Sequence, residues 1–182
     1  MKNLLNCHSV GLHSFPISLE NNLYTRVFYA EETHNLWKLD PLEIAVHPHH
    51  VNIEIEVLDG TIYNHNFSLE RKDMEWNKYK WNSEILHGKG GFEYLGKQKI
   101  GLVNVNRLTK RSKIKLEACQ LHTISIMKGT KAVWKITETI PTCEYFPINY
   151  TNADLSNWSS EGLYIEVGDD IKKQYLQPYN IL

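Results

Sequence analysis

Residues 51–64 read Val-Asn-Ile-Glu-Ile-Glu-Val-Leu-Asp-Gly-Thr-Ile-Tyr-Asn. Apolar and polar side chains alternate through the first eight positions, and a period of two predicts a β-strand with one buried face. The Asp59-Gly60 pair is typical of tight turns, and the alternating runs on both sides of it predict a β-hairpin. This stretch indicates a protein built from short β-strands.

Similar runs follow along the rest of the chain. Residues 22–30, 42–46, 78–86, 99–108, 121–127, 132–139 and 164–167 are rich in apolar, aromatic or β-branched residues and are predicted strands. Lys128-Gly129-Thr130 predicts a second hairpin, and short helical turns are expected within residues 69–80 and 169–176. Many short strands and little helix favour an all-β sandwich or barrel. We expect one domain over residues 1–182, with its core at about 22–140 and a less regular tail at 141–182.

The composition excludes several classes of protein. The 182 residues include 20 lysines and arginines against 21 aspartates and glutamates, which argues against binding nucleic acid by charge. No run of 18 apolar residues suggests a membrane span, and residues 1–8 do not resemble a secretory signal. The three cysteines form no Cys-x-x-Cys pair. We therefore expect free thiols and a cytoplasmic location.

Histidine is the unusual residue of this chain, with nine copies and three of them within residues 47–50. In an extended chain His47 and His49 leave the same face, about 6.5 Å apart, while His50 points to the other face unless the register slips by one. Imidazoles placed in this way can converge on one ion at about 2 Å. His122 is the best candidate for a third ligand. The alternative is that these are structural or surface histidines near a turn.

The same residues carry a resemblance to the cupin superfamily. Its first motif has His-x-His, three or four residues, a glutamate, six residues and a glycine. His47-x-His49 is followed at that spacing by Ile53 and Gly60, so isoleucine stands where the glutamate is expected. The second motif supplies one histidine, which His122 matches, although its expected proline and glycine are absent. The resemblance covers roughly residues 41–138.

This resemblance implies a double-stranded β-helix, also called a jelly-roll barrel, with minor helical turns and a pocket between its two sheets. In family members the pocket often holds iron, manganese, zinc or nickel. Some members are dioxygenases, isomerases or decarboxylases, and others only bind a ligand. A three-histidine site without a carboxylate looks like the thiol-dioxygenase branch, which uses ferrous iron. It is equally compatible with a site that has lost its metal.

Four further residues are candidates for binding the ligand in this pocket. Arg26 shares a strand face with Tyr24 and Phe28, where a cation suits the carboxylate or phosphate of a ligand. The alternative is an outward arginine lying over aromatic rings. Glu138 is a possible carboxylate in place of the missing motif glutamate. Tyr63 and Trp134 complete the set, with barrel packing as the simpler interpretation of both.

We therefore predict a cupin-like protein that binds a small polar or anionic molecule beside a divalent metal held by His47, His49 and His122. The chemistry would be that of a metal-dependent oxygenase or isomerase. The second hypothesis is a non-catalytic protein that binds or sequesters a metabolite or nucleotide signal. A structural module that forms a homodimer is a third, and barrels of this type commonly pair. His8 and His13 are expected to be polar edge residues, and His34 has no assigned role.

Overall fold

The computed structural model describes residues 2–20, 23–36, 46–82, 91–141 and 147–181. Within these ranges the chain forms twelve strands, one α-helix, α1 (Asp169–Leu176), and a 3-10 turn (Gln177–Tyr179). The strands are β1 (Asn3–Leu5), β2 (Leu12–Glu20), β3 (Leu23–Ala30), β4 (Val51–Asp59), β5 (Thr61–Ser68), β6 (Met74–Trp81), β7 (Phe92–Thr109), β8 (Lys113–Leu116), β9 (Leu121–Ser125), β10 (Ala132–Pro141), β11 (Ile148–Thr151) and β12 (Ile165–Val167).

Two antiparallel sheets make up the fold. The first has the strand order β12-β1-β2-β3-β10-β4-β8, and the second has the order β11-β6-β7-β5-β9. The largest buried cluster includes Ile53 and Ile55 of the first sheet together with Ile62 and Ile124 of the second, so the main core lies between the sheets. The chain is an all-β jelly roll, as the sequence predicts.

The strand predictions agree well with the structure, but the two predicted hairpins are wrong. β4 pairs with β10 and β8, whereas β5 pairs with β7 and β9, so the chain crosses between the sheets at Gly60. Gly60 has a φ of +75°, and a Cβ there would collide with the Lys131 carbonyl, so the corner requires glycine. The Lys128-Gly129-Thr130 segment also joins strands of different sheets.

The two predicted helical turns have different outcomes. Residues 69–80 contain no helix and include all of β6 except Trp81, because this segment pairs along its backbone with the long strand β7. The predicted turn at 169–176 is α1, as expected. Residues 42–45 and 83–86 of two predicted strands lie outside the described residues.

Val46 and His47 close the second sheet into a ring. Val46 exchanges backbone hydrogen bonds with Tyr150 of β11, at 2.8 and 3.1 Å, and His47 exchanges two with His122 of β9, both at 3.1 Å. These strands are the two edges of the sheet. The ring surrounds a second apolar cluster, to which each strand and the closing segment contribute: Val46, Phe67, Trp76, Ile100, Leu121 and Tyr150.

Helix α1 covers the outer side of the first sheet. Its fully buried Leu176 packs against Phe15, Val27 and Val133, which alternate with the residues that face the main core. A third cluster therefore lies on the side of this sheet away from the barrel interior. None of the helices in the described ranges is long and apolar enough to cross a membrane.

The cysteine prediction is correct for one residue and wrong for another. Cys7 is a buried free thiol, and burial raises its pKa to about 11. Cys119 is disulfide-bonded. Spacing alone did not reveal this bond because disulfide formation depends on how the fold brings distant segments together.

Candidate metal centre

The backbone holds both ends of the His-x-His segment against β9. The N–H of His47 donates to the His122 carbonyl and the N–H of His122 donates back, each at 3.1 Å. Two residues further on, the His49 carbonyl accepts a bond of 2.6 Å from the N–H of Cys119. Cys119 adopts a left-handed conformation (φ 66°) in the turn that precedes β9. The predicted ligands from two separate segments are thereby brought together.

The three imidazoles of His47, His49 and His122 have the geometry of a ligand group. Their ring centroids are 5.0–5.4 Å apart, and one ligand atom from each lies within 4.8 Å of the others. The Nε2 atoms of His49 and His122 are 2.9 Å apart. Two nitrogens that each lie about 2.1 Å from an ion, at right angles to one another, would be about 3.0 Å apart. The nitrogens of His49 and His122 therefore have the spacing of two donors to one divalent ion.

Burial keeps two rings of this group, those of His49 and His122, in the protonation state that a metal needs. It lowers the pKa of His49 to about 3, with contributions from the nearby His47, His50 and His8. The pKa of His122, which is 2 % exposed, is also well below its usual value for the same main reason, with added repulsion from His49 and His47. Both rings are neutral at neutral pH, and neutral imidazole is the form that coordinates metals.

Asn64 is a site residue that the sequence reasoning missed. Its side chain is fully buried on β5, and its Oδ1 lies 2.7 Å from Nδ1 of His122. The signal was an Asn-x-Asn pattern on β5, Asn64 and Asn66, matched by Asn104 and Asn106 on β7. Asparagine is disfavoured in strands, so four copies on one face of two neighbouring strands call for a local reason.

Arg26 lies on the inner face of the first sheet. Its contacts agree partly with the ligand-binding interpretation and partly with the interpretation that it lies over aromatic rings. Its guanidinium carbon is 5.7 Å from the ring centroid of Tyr24 and 6.0 Å from that of Phe28. Its Nη2 donates a bond of 3.4 Å to the Lys2 carbonyl, while its buried Nε has no partner. Among the described residues, no carboxylate forms a salt bridge with Arg26. Arg26 is therefore a cation that still has a hydrogen-bond donor available for a ligand.

Glu138 is the carboxylate closest in register to the altered motif position. It is the pairing partner of Ile53 across β10 and β4, and also of Tyr24 across β10 and β3. Burial raises its pKa, and the charges of Arg26 and His50 oppose that rise. Glu138 is nevertheless not part of the compact group of three histidines.

The two aromatic candidates are not brought to the histidines. Trp134 is 2 % exposed in the main core and stacks on Phe28 with 5.6 Å between ring centroids. Tyr63 pairs with Ser125 and precedes Asn64 on β5, so its side chain leaves the face opposite to the one that contacts His122. Both positions favour the packing interpretation.

His8 lies nearer to the site than an edge residue would. Its Nδ1 is 2.9 Å from the Tyr164 hydroxyl, and its ring centroid is 6.4 Å from that of Trp81, with the two ring planes at 65°. The residue is exposed at the surface, but neighbouring protein atoms desolvate its imidazole, and this desolvation together with the Arg26 charge lowers the pKa of His8 to about 4. His8 in turn contributes to the low pKa of His49. His8 therefore lies within electrostatic range of both Arg26 and His49.

The remaining histidines have structural surroundings. His13 is 3 % exposed, and its Nε2 lies 3.0 Å from Oε1 of Glu31 near α1. His34, 2 % exposed, accepts the Leu36 N–H at Nδ1 and bonds the Thr130 carbonyl through Nε2. Neither residue belongs to the group of three.

A separate cavity of about 680 Å³ lies next to Trp81. It lies between the β6–β7 region and the segment that follows β11, and Phe92 and Trp158 line it with their rings at right angles, 5.2 Å apart. None of the three clustered histidines lines this cavity. Trp81 is the residue that touches both the cavity and His8.

Comparison with known proteins gives structural likeness only. No protein-family model and no curated protein sequence matches the chain. Several of the similar solved structures are described as cupins or cupin-like proteins. An RmlC-like cupin from Shewanella frigidimarina has 11 % identity and a TM-score of 0.41, over 74 % of this chain and 79 % of that one.

Two other similar structures differ in stated activity. The hydroxypropylphosphonic acid epoxidase from S. wedmorenis has 14 % identity and a TM-score of 0.43, over 75 % of this chain and 53 % of that one. A transcriptional regulator from Vibrio cholerae has 14 % identity and a TM-score of 0.40, over 73 % and 53 %. This chain thus spans about half the length of either protein. The likeness concerns the fold.

Proposed function

We propose that this protein is a cupin-like metal protein that binds a divalent ion through His47, His49 and His122 and a small anionic molecule beside it. The observation that carries the proposal is the convergence of three imidazoles, each offering a ligand atom within 4.8 Å of the others. An all-imidazole donor set suits iron, zinc or nickel better than manganese, which prefers oxygen ligands. A bound ion would supply a site that polarises an oxygen atom of the ligand or binds O₂.

The residues around the histidines define what the ligand must look like. Arg26 offers a positive charge and an unpartnered Nε, which suit a carboxylate or phosphate group. His8 and Tyr164 present a hydrogen-bonded pair near the same charge. We assign Arg26 to anchoring the anionic group, so that the rest of the molecule faces the metal. The reaction class that this arrangement supports is metal-dependent oxygenation or isomerisation.

A second candidate function is non-catalytic binding of a small metabolite or nucleotide signal. The observation that favours it is the motif position of the expected glutamate, which is Ile53, 2 % exposed in the main core. A site without that carboxylate can hold a ligand without turning it over. The expected homodimer and the cytoplasmic location remain predictions. Sizing of the purified protein tests the first, and cell fractionation tests the second.

Metal titration of the purified protein tests the first proposal. Fe²⁺ under anaerobic conditions, Zn²⁺ and Ni²⁺ are each titrated into the metal-stripped protein and into His47→Ala, His49→Ala and His122→Ala. We expect about one ion per chain, with a loss of at least about tenfold in affinity in each variant, because three-ligand sites depend on every donor. His65→Ala is a matched control, since His65 bonds Ser125 and lies outside the group.

The outcomes separate the two functions. Metal binding that is equal in the wild type and the three alanine variants would overturn the metal proposal. Small carboxylates and phosphates are then screened with the loaded protein. Turnover that His122→Ala abolishes while ligand binding persists supports an enzyme. Tight binding with no product and no metal requirement supports the binding protein.

A further inference from the structure

The buried asparagines behind His122 form a continuous chain of hydrogen bonds. Oδ1 of Asn64 is 2.7 Å from Nδ1 of His122, and Nδ2 of Asn64 donates to Oδ1 of Asn66 at 2.8 Å. Nδ2 of Asn66 donates in turn to Oδ1 of Asn104 at 2.6 Å. Asn64 and Asn66 are 0 % and 5 % exposed, whereas Asn104 is at the surface. The chain therefore runs from the site to solvent.

The direction of these bonds determines the role of each atom. Because Nδ2 of Asn64 is used in donating to Asn66, the atom it presents to His122 is the carbonyl oxygen, which can only accept. The hydrogen of the His122 ring must then be on Nδ1. Its Nε2 carries the lone pair and points at Nε2 of His49, 2.9 Å away. Side-chain amides that all donate in one direction also reinforce each other.

The strand register explains how the chain forms. Across β5 and β9, Asn66 pairs with His122, and across β5 and β7 it pairs with Asn104. Residues two apart on a strand share a face, so Asn64 lies beside Asn66 on the same side. Gln120 adds a bond of 3.3 Å to Oδ1 of Asn66. The amide orientation of Asn66 is thus fixed from three sides.

We propose that Asn64, oriented by Asn66 and Asn104, is a positioning residue that holds His122 in the Nδ1–H tautomer and aims its Nε2 lone pair at the metal position. This inference rests on the proposed metal site for its consequence, but the tautomer itself is a property of the protein alone. Outer partners of this kind fix the orientation and the basicity of a ligating histidine.

Three variants test the role of Asn64. Asn64→Leu removes the acceptor at nearly equal volume, and Asn64→Asp keeps an acceptor for the His122 Nδ1–H. Asn106→Leu is the matched control, since Asn106 pairs with Asn64 in register but only makes a bond of 3.4 Å to Asn104. The readouts are the ¹⁵N signals of the His122 ring in the metal-free protein and the affinity for Zn²⁺ alone.

We expect the wild type, Asn64→Asp and Asn106→Leu to show the hydrogen on Nδ1, and Asn64→Leu to shift it towards Nε2. Zn²⁺ affinity should fall about tenfold or more in Asn64→Leu, in line with the loss of an outer partner, and change less than about threefold in the other two. If Asn64 had a purely structural role, Zn²⁺ affinity should fall more in Asn64→Asp than in Asn64→Leu, because a carboxylate at a fully buried position disturbs folding more than leucine does.

Two results would overturn the inference, and each is distinct from failure of the metal proposal. One is a wild-type His122 ring with its hydrogen on Nε2. The other is an unchanged tautomer in folded Asn64→Leu protein. If His122→Ala binds Zn²⁺ as the wild type does, the metal proposal fails, while the ring signals still decide whether Asn64 sets the tautomer. Wild-type protein alone is sufficient for the first readout, so a variant that fails to fold does not prevent the test.

Discussion

Glu138 is the direct cross-strand partner of Ile53 in the pairing of β10 with β4. A carboxylate therefore stands next to the position where the cupin motif has its glutamate, on the neighbouring strand. It does not belong to the group formed by His47, His49 and His122. Its charge acts within the same region as Arg26, which opposes the effect of burial on the pKa of Glu138.

This relationship predicts that Glu138 affects the ligand more than the metal. In Glu138→Gln we expect metal affinity within about threefold of the wild type, whereas loss of a partner that supports a ligand typically costs about 10- to 100-fold. Binding of a small anion should become tighter, because a negative charge near Arg26 is removed. Calorimetric titration with Zn²⁺ and then with oxalate measures both. Metal affinity that falls as far as in His122→Ala would show that Glu138 is a ligand.

Replacement of Arg26 should weaken anion binding, the opposite of the effect expected for Glu138→Gln. We expect Arg26→Gln to weaken oxalate and phosphate binding to the metal-loaded protein at least about tenfold, since a charged hydrogen bond contributes about 1.5–3 kcal/mol. Arg26→Lys should recover only part of the affinity, because an ammonium group lacks the planar two-donor fork. Arg107→Gln is the control, as Arg107 is exposed on β7. Equal anion affinity in Arg26→Gln and the control would remove Arg26 from the ligand site.

The strands could be predicted from the sequence because burial leaves a period of two in the residues themselves. Val51, Ile53, Ile55 and Val57 alternate in the sequence and are all buried in the structure. Alternation states which side chains point inward, but it carries no information on which strand is the neighbour. The Asp59-Gly60 corner therefore looked like a hairpin, although it leads from one sheet to the other.

The candidate site likewise contains residues that could be predicted from the sequence and residues that could not. His47 and His49 share a face by simple alternation, and His122 followed from the resemblance to a known motif. Asn64 could not be found because its role depends on the pairing of β5 with β9, which places it against His122. His8 comes from the far end of the chain, and only tertiary packing brings it to Tyr164.

The C-terminal helix should contribute to stability without contributing to the site. Leu176 is fully buried against the outer face of the first sheet, so Leu176→Ala should cost about 2–4 kcal/mol in the free energy of unfolding. Metal affinity of the folded variant should not change, because the histidines are not part of the cluster that Leu176 joins. Urea denaturation and Zn²⁺ titration measure the two quantities. Lys173→Ala, at an exposed position of α1, should cost less than about 0.5 kcal/mol. A loss of metal affinity in folded Leu176→Ala protein would contradict the expectation that the helix does not contribute to the metal site.

Buried histidines should make the metal-free protein less stable in mild acid. Burial lowers the pKa of His34 below its ordinary value of 6.5, although the bonds to the Thr130 and Met127 carbonyls act against the shift. Below about pH 6.5 the unfolded chain therefore takes up a proton that the native state does not, and the free energy of unfolding falls by up to about 1.4 kcal/mol per pH unit for one such group. The loss is complete once the pH is below the native pKa.

Urea denaturation at pH 8.5, 7.5, 6.5 and 5.5 measures this dependence. We expect little contribution from His34 above pH 7.5, where the residue is neutral in both states, and a fall in stability below pH 6.5. His34→Gln keeps a donor for the Thr130 carbonyl but cannot titrate, so its stability should fall less steeply over the acid range. An acid slope as steep as that of the wild type would mean that His34 takes up its proton equally well in the native and unfolded states.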